Sequence, residues 1–213
     1  MNEDKKLNGR DLINIGIYGA IYFVILFAVA MLGMIPIFLP LLSVFVPILG
    51  GIPFMLFLTR VKKPGMIFIF AMIMGILMLL TGMGPWPLLT CAVAGLLAEL
   101  VFKSGDYRDA KKAVLSYGLF STWIFGNYLP LFTDYEGYFA QRADYGQAYI
   151  DAVQKLMPLW MAPVLLIACF VCGIIGGLLG RALIFCTVLW RNPDTLCGDD
   201  HDGRVCHSNY ICQ

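Results

Sequence analysis

From Leu12 to Thr59 the chain runs without a single Asp, Glu, Lys or Arg. Coiled as one helix, such a run would measure about 72 Å at roughly 1.5 Å per residue, more than twice the roughly 30 Å hydrocarbon core of a bilayer. It must therefore cross twice, and Pro36 and Pro40 mark the turn. The next apolar stretch, between Lys63 and Lys103, holds one ionisable acid, Glu99. It is interrupted by Gly82-Met83-Gly84-Pro85-Trp86-Pro87, a turn through which no helix continues. That pattern predicts a third and a fourth span. A fifth reads from Ala113 to Leu131 and a sixth from Pro158 to about Gly180, with a long polar, aromatic loop between them. The pattern predicts an all-α integral membrane protein of six transmembrane helices.

Composition agrees. Hydrophobic residues make up 60% of the chain and charged residues 14%, against about 25% charged in soluble domains. A net charge of +1 gives no basic stripe of the kind nucleic acid requires. The distribution of Lys and Arg is more telling than the total. With the N-terminus inside, thirteen basic residues are cytoplasmic: Lys5, Lys6, Arg10, Arg60, Lys62, Lys63, Lys103, Arg108, Lys111, Lys112, Arg181, Arg191 and Arg204. Arg142 and Lys155 alone are external, in a loop that also carries Asp134, Glu136, Asp144 and Asp151. Both termini are thus expected in the cytoplasm. The first apolar run is too long for a cleavable leader and is expected to stay as a span.

Catalytic and metal chemistry find few parts. Cys91, Cys169, Cys172 and Cys186 sit in or beside apolar helices, where a thiol acts as a small hydrophobe; Cys169-x-x-Cys172 lacks the strand that a redox motif follows. Cys197, Cys206 and Cys212 share a polar tail with His201 and His207, in a spacing that fits no familiar zinc pattern. With both histidines there, no Ser-His or Cys-His pair forms within the spans. Neither an enzyme nor a cofactor or metal site is expected. Glu99 stands four residues before Lys103, which reads as an ordinary i,i+4 ion pair near the headgroups.

The helix surfaces carry more. Gly16 and Ala20 lie on one face of the first helix, with Gly19 beside them, so another backbone can approach closely. The sixth helix carries Gly173, Gly176, Gly177 and Gly180, and the fourth Ala94 and Ala98; such pairs ordinarily pack a bundle against itself. At the external end, Trp86 stands in the turn between the third and fourth spans, Trp123, Asn127 and Tyr128 approach the end of the fifth helix, and Trp160 opens the sixth. Aromatic rings at this depth serve as interfacial anchors. An amide beside such rings also suits a small, flat, polar ligand. Read as α-helix, Trp123 and Asn127 at i and i+4 share one face.

The opening Leu7-Asn8-Gly9-Arg10-Asp11-Leu12-Ile13-Asn14-Ile15-Gly16, continuing into Ala20-Ile21-Tyr22-Phe23, resembles the first helix of substrate-binding S components of energy-coupling factor (ECF) transporters, and more narrowly the Trep_Strep, or MptD-family, group. The six-helix layout and the close Gly173-Ile174-Ile175-Gly176-Gly177-Leu178-Leu179-Gly180-Arg181 extend the likeness over about residues 7 to 183. The resemblance implies a substrate-binding membrane domain over residues 1–183, in a prokaryotic plasma membrane. The polar Cys/His tail over 184–213 stands apart from it. The resemblance further implies capture of a vitamin or related micronutrient from outside, with a transmembrane coupling subunit and two ATP-binding subunits driving delivery inward. Gly16 and Ala20 match the family's docking motif with Gly for Ala. Trp86, Trp123, Asn127, Tyr128 and Trp160 fall where the family builds its pocket. The rival readings are a stand-alone membrane assembly or interaction protein and a partner-free facilitator. No Gly-x-x-x-x-Gly-Lys-Ser/Thr cradle is present, so ATP would have to be hydrolysed by another chain.

Overall fold

The computed structural model describes residues 9–60, 63–107, 109–140 and 146–191, with 10 and 185–191 as backbone only. The described residues contain helices and turns and no strand. Helix α1 (Gly9–Ala30) ends in a 3-10 turn, Met31–Met34, and leads to α2 (Phe38–Arg60). Helices α3 (Met66–Leu80) and α4 (Trp86–Lys103) meet at the expected Gly-Pro turn, and α5 covers Ala110–Ser121. The chain then tightens into a 3-10 segment, Thr122–Asn127, followed by three short helices, α6 (Leu129–Thr133), α7 (Tyr135–Ala140) and α8 (Gln147–Leu156), before α9 (Met161–Arg191). By length and composition α1, α2, α4 and α9 are able to cross a membrane; α3 is apolar but shorter.

The long helices close into a ring in the order α1, α2, α9, α5, α4, α3, with α3 returning to α1. Small residues set the seams. On α9, a Cβ at Gly176 would overlap the Pro47 carbonyl of α2, and one at Gly180 would stand 2.6 Å from the Gly51 carbonyl oxygen. One turn phase away, a Cβ at Gly173 would strike Ser121 of α5 and one at Gly177 would press on Val114. The two i,i+4 pairs therefore serve two neighbours: Gly176 and Gly180 let α2 in, Gly173 and Gly177 let α5 in. Ala94 and Ala98 of α4 are buried, and Ser116 of α5 donates to the Ala98 carbonyl at 2.8 Å.

Inside the ring the core is aromatic. Phe54 stacks on Phe120 with ring centroids 4.6 Å apart, and Phe57 on Phe70 at 4.9 Å. Tyr22 meets Phe70 and Phe120 edge-on. Offset and edge-to-face contacts add about 0.5–1.5 kcal/mol per pair beyond area burial.

Two expectations about boundaries change. The fifth span is no continuous helix from Ala113 to Leu131; its α-helix stops at Ser121. The Thr90 hydroxyl of α4 lies 3.1 Å from the Trp123 carbonyl, shared with the carbonyls of Trp86 and Pro87, and the Asn127 side chain donates to the Ile124 carbonyl. Pro130 lacks the N–H that an α-ladder would direct at Gly126. Side chains thus take up carbonyls that the ladder would use, and the backbone tightens. At the other end of the chain, α9 runs past Gly180 to Arg191, so the first residues of the segment assigned to a tail continue the helix. The remainder of that tail, with Cys197, Cys206, Cys212, His201 and His207, lies outside the described residues.

Candidate functional site

The two ends of the ring differ in chemistry. At one end lie Arg60, Lys63, Lys103, Lys111 and Lys112, and Lys63 pairs with Asp11 at 2.6 Å, tying the start of α1 to the α2–α3 turn. Here Glu99 departs from the sequence expectation. Its carboxylate accepts from the Gly65 N–H at 2.8 Å, the Ile67 N–H at 3.0 Å and the Tyr107 hydroxyl at 2.9 Å. The buried acid therefore caps the N-terminus of α3, where free N–H groups and the helix dipole favour an anion, instead of pairing with Lys103. Gly65 makes this possible with φ +86°, a left-handed conformation that costs glycine little. Tyr107 reaches Glu99 from the α4–α5 turn, where Asp106 and Tyr107 both hold positive φ. Its ring packs edge-on against Phe102 at 5.2 Å. Burial, and then the hydrogen bond and negative charge of Glu99, raise the pKa of the Tyr107 hydroxyl above its ordinary value.

The opposite end is aromatic and carries the residues expected to bind a ligand. Helices α6 to α8 fold over it: Tyr149 of α8 donates to the Gly33 carbonyl in the α1–α2 connection at 2.6 Å, and Tyr135 donates to the Ile150 carbonyl at 2.6 Å. Burial and the nearby Asp151 raise the Tyr135 pKa. Tyr135, Phe139, Ile150, Glu136 and Asp151 line a recess of about 330 Å³ between α7 and α8. Trp86, 40% exposed, borders a separate apolar groove of about 290 Å³ between α4, the 3-10 segment and Leu166 of α9.

Trp123, Asn127 and Tyr128 share one segment but point to different tasks. Tyr128 is buried and donates to the Leu39 carbonyl at 3.0 Å. Leu39 lies in the first turn of α2, so the hydroxyl braces the start of that helix. In a 3-10 segment residues i and i+3 eclipse, so Trp123 aligns with Gly126 and Asn127 with Ile124. The shared face inferred for Trp123 and Asn127 from α-helical spacing is thereby lost. Trp123 is fully buried, with its ring 6.4 Å from that of Phe120. Trp160 is 67% exposed and borders neither recess.

Among the described residues, three buried side-chain atoms lack a hydrogen-bond partner: the Trp123 indole nitrogen, the Tyr22 hydroxyl and the Asn127 carbonyl oxygen. Tyr22 is not among the residues that sequence reasoning singles out. A signal for it exists, because tyrosine in a membrane helix belongs at the interface, whereas Tyr22 sits in the middle of α1.

On the first helix, Gly19 faces inward against Met74 and Phe70, while Gly16 and Ala20 are exposed and a Cβ at Gly16 would meet nothing within 4 Å. Ile13, Ile17 and Val24 flank them, also exposed.

Residues 9–185 match the model of a family described as a hypothetical bacterial integral membrane protein (Trep_Strep). No curated protein and no solved structure matches the chain.

Proposed function

The chain belongs to the Trep_Strep family of bacterial integral membrane proteins, and on that premise we propose that it is the membrane-embedded substrate-binding subunit of an ECF-type importer. Six spans, formed by α1 to α5 and α9, would place the basic end in the cytoplasm, with both termini, and the aromatic end outside, as the distribution of Lys and Arg favours. The subunit would take a vitamin or related micronutrient at the aromatic end, beneath α6 to α8. It would deliver the molecule inward with a transmembrane coupling subunit and two ATP-binding subunits.

The observation that carries this reading is the flat stripe of α1. Gly16 and Ala20 leave a shallow, apolar strip on the outside of the ring, where no described element of this chain covers them. Backbone-close packing against a second membrane protein is the use such a strip supports. The same strip also suits the rival reading, an assembly factor without a transported ligand.

Reconstitution separates the two. The purified chain, mixed with a coupling subunit and its ATPases in proteoliposomes, should be recovered as a complex and should support ATP-dependent uptake. Gly16→Leu should abolish recovery. An intact chain that forms no complex and carries no small molecule in native mass spectra would sink the importer reading.

A further inference from the structure

We propose that the Tyr22 hydroxyl and the Trp123 indole N–H form a binding locus within the ring for a flat, uncharged small molecule that presents hydrogen-bond acceptors. The inference deepens the substrate-binding reading by naming a ligand class, and it rests on that reading.

Both side chains are fully buried, and neither polar atom has a hydrogen-bond partner. Leaving such a group unpaired in an apolar interior is costly, and native interiors tolerate few of them. The two heads are neighbours: the Tyr22 hydroxyl interacts with the Trp123 indole and the Tyr117 hydroxyl without a well-formed bond to either, and the thiols of Cys91 and Cys169 lie within electrostatic reach. Tyr117 is already committed, donating to the Pro47 carbonyl at 2.6 Å. Polar or polarisable groups from α4, α5, the 3-10 segment and α9 thus lie within electrostatic reach of the Tyr22 hydroxyl of α1.

The chemistry of the occupant follows from these groups. An indole N–H only donates, and a phenol O–H donates readily, so the complement is an acceptor. The neighbours Phe70, Phe120, Tyr117, Cys91 and Cys169 carry no formal charge, and Glu99 is occupied at the basic end. An ionised ligand would find no counter-charge there and would bear the full desolvation penalty. The flanking rings favour a planar body that stacks between them. Phe120 packs against both rings, with centroids 6.0 Å from Tyr22 and 6.4 Å from Trp123, so its ring must shift to admit the ligand.

The test uses the full chain in detergent and two probes of similar size. 1,3-Dimethyluracil is flat and neutral, with two carbonyl acceptors and no N–H; toluene is flat and has no acceptor. Calorimetry should show saturable binding of dimethyluracil in the millimolar range and none of toluene, with a rise in Tm under dimethyluracil alone. Tyr22→Phe, which removes one oxygen, and Trp123→Phe should each weaken dimethyluracil binding about five-fold or more. Equal responses to the two probes, or no binding of dimethyluracil, overturn the proposal. So does Tyr22→Phe binding as wild type with a raised Tm, which would mark the pair as an unbonded core contact. Complex formation with the coupling subunit is a separate readout: if it persists when dimethyluracil fails, the locus alone is refuted, and if it fails while dimethyluracil binds, the importer reading alone is refuted.

Discussion

Two helices carry the same motif and use it differently. On α9, Gly176 and Gly180 are pressed against backbone of α2, and Gly173 and Gly177 against α5, so each glycine is part of a seam inside the ring. On α1, Gly16 and Ala20 have the same four-residue spacing, yet they face outward, away from every described element. Spacing specifies a surface that a helix can approach closely, and the rest of the fold decides whether that helix belongs to the same molecule. Glu99 teaches the same lesson in polar form. Its spacing from Lys103 is that of a local ion pair, but its partners are the amides of α3 and the Tyr107 hydroxyl.

The largest effect should come from filling an α9 seam. Gly176→Leu would drive a branched side chain into the Pro47 carbonyl and the backbone at Ile48. Ordinary overpacking costs about 1–3 kcal/mol, and backbone on both sides leaves less room to relax, so about 3 kcal/mol or more is expected. The outcome is a lowered Tm in detergent, together with poor recovery of folded protein. A Gly176→Leu chain that melts like wild type would remove the contrast between α9 and α1.

Next comes the α3 cap. Glu99→Gln keeps the shape but replaces charge-assisted hydrogen bonds with a neutral amide that offers one acceptor, at an expected cost of about 1–3 kcal/mol. Lys103→Ala should be nearly silent, within about 0.5 kcal/mol, as for an exposed side chain outside any network. Equal costs in thermal or denaturant melts would restore the ion-pair reading of the sequence.

Tyr107 supplies a smaller, pH-dependent effect. Its pKa is raised in the folded chain by burial and by Glu99, so the native state holds the phenolic proton more tightly than the unfolded state does. The associated stability is present below the ordinary tyrosine pKa, about 10, and is lost as pH rises above it. Melting curves of wild type should therefore fall more steeply above about pH 10 than those of Tyr107→Phe. Parallel curves would mean that the Glu99 contact contributes nothing to the titration.

How much of this is legible in the sequence follows from what each feature depends on. The gaps between charges locate α1 to α4, because the cost of placing an ionised side chain in hydrocarbon is a local property of the residue. The α1–α2 and α3–α4 turns are legible for the same kind of reason, since Pro and Gly punctuate a chain locally. The break after Ser121 is not, because it depends on Thr90 from another helix reaching the Trp123 carbonyl. That break changes the reading of the site. Trp123 and Asn127 share a face only on α-helical phase, and the 3-10 segment separates them, while Tyr22 enters as a neighbour of Trp123 that no local spacing could reveal. Trp86, Tyr128 and Trp160 read from the sequence as one aromatic set at one end; the fold gives them three different settings, a groove, a brace on α2 and an exposed ring.

The smallest effect on the chain itself should come from Gly16→Leu, and it tests the other half of the contrast. A Cβ at Gly16 meets nothing within 4 Å, so the added side chain extends away from the ring and displaces no packed atom. Leucine is also the better helix former, by about 0.8 kcal/mol or less, because glycine carries the larger backbone entropy cost. The Tm of the isolated protein should therefore stay level or rise slightly, opposite in sign to Gly176→Leu. Ala20→Leu should behave alike, since Ala20 is exposed on the same strip. If the strip receives the coupling subunit, both variants lose complex recovery while remaining folded, since an inserted leucine holds the two backbones apart. A Gly16→Leu chain that unfolds would place the strip inside an assembly of this chain's own making. One that folds and still assembles with the coupling subunit would leave the strip to lipid and move the docking surface to another helix.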